Sequence, residues 1–177
     1  MKKILSGLVA FTIIMLTASS CKKAATVDGG SWTFNGQTYK VTSGIADVSQ
    51  NPTGSTPANI DVTLATVCQS SSAYGDIVFT FYTFPTTSGT YAITSNPLPD
   101  TTSTQVAVNM ILSTGSNYNG KIYNPTPYSA SVSTANVTVG SNGWITISIP
   151  SLEMARDTVP SDSAVLTASV KQTQAPL

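Results

Sequence analysis

Apolar and polar residues take turns along much of this chain. Val106, Val108, Met110 and Leu112 are separated by single residues, as are Ile145, Ile147 and Ile149, and Ala164, Leu166, Ala168 and Val170. Successive strand side chains point to opposite faces, so each set marks one face of a strand. Beyond residue 21 no stretch sustains a helical period. Such a chain buries its apolar residues by pairing strands and packing the resulting faces together.

Turn residues divide the alternating runs. The strongest hairpin signal is Asn35-Gly36, because a type I′ turn needs positive φ at both central residues. It predicts Trp32 opposite Tyr39 and Phe34 opposite Gln37, with Trp32, Phe34, Tyr39 and Val41 on one face. Further strands are expected at 60–68, 76–84 (ended by Pro85), 88–94, 106–112, 121–123, 132–139, 144–150 and 164–171. The run at 76–84 is aromatic and β-branched on both faces, which predicts a central strand. Together these give an all-β fold: an antiparallel β-sandwich or a flattened open barrel of about nine strands.

The N-terminus has a different composition. Met1-Lys2-Lys3 precede an apolar run at 4–18, which is short of the roughly 20 residues that span a bilayer. Small residues Ala18-Ser19-Ser20 lead into Cys21, and Lys22-Lys23 follow. This arrangement resembles a bacterial lipoprotein signal, and Ser-Ser-Cys-Lys-Lys looks like the junction found in Bacteroidota lipoproteins. The resemblance implies a signal peptide at 1–20, a lipidated Cys21 with a tether over 21–30, and one domain at 31–177. Acyl chains such as palmitate on Cys21 would anchor the protein stably, since two lipid signals already suffice. Lys22 stands where Asp would favour inner-membrane retention, which points to the outer membrane. Residues 24–27, Ala-Ala-Thr-Val, lack the acids of a surface-export signal, which favours the periplasmic face over the cell surface.

Later segments carry the same likeness. Trp32-Thr33-Phe34-Asn35-Gly36-Gln37-Thr38-Tyr39, Ser88-Gly89-Thr90-Tyr91, Asn136-Val137-Thr138-Val139 and Ile147-Ser148-Ile149-Pro150 are similar in order to segments of small β-rich Bacteroidota lipoproteins. That family implies no established activity, so no catalytic residue is carried over from it.

Several chemistries are excluded. The chain has no histidine, which removes Ser-His-Asp and Cys-His catalysis and His-bearing zinc sites. With Cys21 acylated, Cys68 is left without a partner. It follows Ile60, Val62 and Leu64 on one face and is expected to be a buried, inert thiol. No Ser-x-x-Lys dyad precedes Lys40, Lys121 or Lys171, and no phosphate-binding loop is present. The net charge is +0 and no basic patch is visible, which argues against nucleic acid. An acid–base glycosidase would need two of Asp47, Asp61, Asp76 and Glu153 brought together, and the sequence does not do so. The stretch containing Asp157 and Asp162 lacks the spacing of a calcium loop and reads as a polar turn. The expectation is a non-enzymatic protein without cofactor or metal.

The best binding candidates are Asn117, Tyr118, Asn119, Tyr123 and Tyr128. Tyrosine offers a flat apolar face with a polar tip, and Asn offers paired donors and acceptors, as sugar-binding surfaces do. Expected partners are the membrane, through the anchor, and an envelope protein or a glycan. The alternative is a structural or assembly subunit of a surface or outer-membrane complex. Thr101, Thr158 and Ser163, each after an Asp and before a small or apolar residue or Thr, resemble Bacteroidota O-glycosylation sites.

Overall fold

A computed structural model describes residues 29–49, 59–68, 73–94, 104–114, 120–141 and 143–172. The side chains of 43–49, 59–68, Ala73 and Thr114 lie outside that description. The fold is all-β. Strand β1 (Gly29–Phe34) is followed by β2 (Gln37–Ser49), β3 (Asn59–Cys68), β4 (Ala73–Phe81), β5 (Gly89–Thr94), β6 (Gln105–Thr114) and β7 (Lys121–Pro125). After the helix α1 (Pro127–Val132) come β8 (Thr134–Val139), β9 (Ile145–Arg156) and β10 (Val159–Gln172).

The Asn35-Gly36 hairpin forms as its residues dictate. Asn35 has φ 48° and Gly36 φ 73°, the left-handed values of a type I′ turn. Trp32 stands opposite Tyr39 and Phe34 opposite Gln37. The Trp32 and Tyr39 rings stack with centroids 3.9 Å apart, and both are buried. Phe34 meets Tyr123 edge-on at 4.9 Å, and Phe81 meets Tyr91 edge-on at 5.7 Å. The predicted alternation holds in β6, β9 and β10: Val106, Val108 and Met110, Ile145, Ile147 and Ile149, and Leu166, Ala168 and Val170 are all buried.

Pairing runs in the order β10-β1-β2-β3-β4-β6-β5-β8-β9, and β9 pairs again with β10. The circuit of pairings is therefore closed. Nine strands cannot alternate in direction around a closed circuit, so at least one pair must run parallel. That pair is β5 and β6, which corrects the expectation of a purely antiparallel sheet. Strand directions define two ends. Gly29, the β8–β9 turn and Gln172 lie at the proximal end. The turns after β1 and β9, the last residue of β6 and the first of β7 lie at the distal end.

One stretch of wall is built in two pieces. Between β6 and β9, the β5–β8 pair fills the proximal part and β7 fills the distal part. Helix α1 sits where the two pieces meet. Thr126 caps it by accepting a bond from the Ser129 N–H at 3.2 Å, and Pro127 follows at the first helical position. Ser129 Oγ accepts the Glu153 N–H at 2.8 Å, while the Glu153 carbonyl accepts the Thr126 N–H at 3.0 Å. Main-chain groups of β9 that no strand reaches are thus satisfied by the helix. The helix and its position correct the expected strand at 132–139, which begins only at Thr134.

Three further boundaries differ from expectation. The strand expected at 76–84 runs from Ala73 to Phe81. Pro150 does not end β9, which continues to Arg156 through a register shift. The last strand starts at Val159, directly after the Asp157-Thr158 turn.

Candidate functional site

Polar side chains converge at the distal end on Asp162. The register between β9 and β10 shifts between Val159 and Ser163, so Pro160, Ser161 and Asp162 have no partners on β9. Such a bulge re-aims side chains. Tyr123 donates its hydroxyl to Asp162 Oδ2 at 3.1 Å. Lys121 Nζ lies 3.8 Å and Arg156 Nη1 3.9 Å from the same oxygen. Three strands, β7, β9 and β10, thus meet through one carboxylate.

Burial pushes the Tyr123 phenol above its ordinary value. The hydrogen bond and the negative charge of Asp162 push the same way, while Arg156 opposes them. Elsewhere, burial raises the carboxyl of Asp76. Burial also raises the Tyr91 phenol, against a hydrogen bond with the Thr87 side chain that lowers it.

The sequence-derived binding residues do not form one surface. Tyr123 is only 3% exposed, its ring packed against Phe34 and only its hydroxyl directed to the polar cluster. The ring is enclosed, and the hydroxyl is the part of Tyr123 that reaches the polar cluster. An alternating apolar neighbourhood in β7 is too short to reveal this from sequence. Tyr128, by contrast, is 76% exposed on α1, with Val132 one turn further along on the same face. Asn117, Tyr118 and Asn119 lie outside the described residues, in the connection between β6 and β7. Of the proposed glycosylation residues, Thr158 and Ser163 are exposed, and Thr101 lies outside the described residues. Cys21 and residues 1–20 also lie outside them, as does the side chain of Cys68.

The sequence missed two juxtapositions. One is the Asp162 cluster, which needs the bulge to form. The other is the register of β2 and β3, which sets Asp47 opposite Asp61. Asp162 is engaged by two cations and a phenol, and no group of three or more His, Cys, Asp or Glu that could hold a metal occurs among the described residues. Among the same residues, no helix is long and apolar enough to cross a membrane. Among the described residues, two buried polar side chains, Trp32 through Nε1 and Gln172, find no hydrogen-bond partner. They mark no common site, since Trp32 stands opposite Ala168 and Gln172 opposite Ile145. No family model, curated protein or solved structure matches the chain.

Proposed function

We propose that this protein is a lipid-anchored, non-enzymatic envelope protein of the outer membrane, its periplasmic face favoured, whose β domain binds a partner protein or a glycan. The lipoprotein-like segment ending at Cys21 supports the anchor. The carrying observation for the binding surface is the Asp162 cluster, where β7, β9 and β10 bring a carboxylate, two cations and a phenol together. In this reading the domain is a flattened closed barrel. Its support is the closed pairing circuit and its stagger. Ser31 leads through Lys40, Val67 and Tyr74 to Ser113, near the distal end, whereas its own partner on β10 is Ser169, near the proximal end. Closed sheets require such a stagger.

The test is a pull-down from native membranes together with a glycan screen. Tyr118→Ala and Tyr128→Ala are expected to weaken capture, and unaltered capture would remove these residues from the site. The assembly-subunit alternative has less support, because the first and last strands pair with each other and each has another neighbour. An acid–base glycosidase draws on the Asp47–Asp61 register alone. Hydrolysis of model glycosides that persists in Asp47→Asn would end that reading.

A further inference from the structure

The proximal end carries an aromatic residue and a cation on its outer rim. Trp144 precedes the inward-facing Ile145, so it projects from the outer face at the start of β9. The turn is closed by the Gly140 N–H on the Trp144 carbonyl at 2.8 Å. The ring lies so close to Gly140 that any side chain there would collide with it. Lys171 Nζ stands 4.6 Å from the ring centroid. Trp144 nevertheless remains partly exposed.

The chain enters the domain at this same end. Residues 22–28 separate Cys21 from Gly29, and fully extended they reach at most about 30 Å. A lipid on Cys21 therefore holds the proximal end near the bilayer. Indole rings settle at the headgroup level, where one side is apolar and the other wet. A lysine beside the ring adds attraction to anionic headgroups, which falls off within a Debye length.

We infer that the Trp144–Lys171 rim rests on the lipid surface at headgroup level, so that the distal Asp162 cluster faces away from the membrane. This rests on the reading that Cys21 is lipidated. The experiment uses the lipidated protein in vesicles of mixed zwitterionic and anionic phospholipid, some bearing a headgroup-level spin label. Quenching of tryptophan emission is expected, and it should disappear in Trp144→Phe because Trp32 is buried in the core. Lys171→Glu should lose quenching on anionic vesicles more than on zwitterionic ones. Flotation of the vesicles separates the two ideas. Protein that floats with unquenched Trp144 would overturn the rim contact while leaving the anchor intact, and would assign the pair to clamping the turn. Protein that does not float would overturn both.

Discussion

The hairpin of β9 and β10 contains two register shifts, and they serve opposite purposes. In the first, Pro150 and Ser151 together face Thr167, so β9 holds one residue too many. The extra residue restores alternation: Ile149 before it and Leu152 after it both reach the core. It also accommodates a proline that could not donate to a regular ladder. In the second, β10 inserts Pro160, Ser161 and Asp162, none of them buried. There the gain is polar, because the carboxylate reaches Tyr123, Lys121 and Arg156. Irregularity inside the sheet preserves packing; irregularity at its end builds a site. The energetic stakes should differ accordingly.

Removing the core-preserving bulge should have the largest effect. Deleting Ser151 shifts the register of β9 by one and turns either its first or its second half outward. No cooperative thermal transition is expected by circular dichroism. Leu152→Ala leaves the bulge in place but removes volume from a fully buried site. It should cost about 2–5 kcal/mol in denaturant unfolding. If the deletion proved no worse than this substitution, the bulge would not be setting the register.

These two features also divide what could be read beforehand from what could not. Asn35-Gly36 fixes its hairpin through backbone φ alone, and the alternation in β6, β9 and β10 follows from side-chain direction. Both are local, and both were legible. Pro150 reads as a strand end because the bulge that rescues the ladder shows only in the register of β9 against β10, which sequence does not display. The helix at 127–132 carries a legible sign, Thr126 before Pro127, but its turn is too short for periodicity to register. Parallel pairing of β5 with β6 follows from closing an odd circuit, a property of the whole sheet. Of the site, Tyr123 stands out in the sequence, but its link to Asp162 depends on a bulge that the sequence does not display.

At the second bulge, Tyr123→Phe keeps the ring against Phe34 and removes the bond to Asp162. It should cost about 1 kcal/mol near neutral pH. The sign of its pH dependence is fixed by the raised phenol. The folded state holds the proton more tightly than the unfolded chain, whose phenols titrate near pH 10. This contribution is therefore complete below that pH and is lost as pH rises through the higher folded value. Tyr123→Phe should flatten the alkaline fall in stability, though not abolish it, since Tyr91 is raised as well. An unchanged alkaline limb would separate Tyr123 from the effect.

The smallest effect should come from the two cations. Lys121 and Arg156 approach Asp162 only at the long end of ion pairing, and all three side chains are partly exposed. Exposed pairs contribute about 0–1 kcal/mol and weaken with salt. Lys121→Ala should lower stability by no more than about 0.5 kcal/mol. That difference should vanish at high salt, whereas the cost of Tyr123→Phe should persist there, because a hydrogen bond from a buried ring is screened less than a charge in water. Measuring both variants at low and high salt tells which interaction holds the carboxylate. If Lys121→Ala matched Tyr123→Phe and both faded with salt, the bulge would be an electrostatic feature rather than one fixed by the buried phenol.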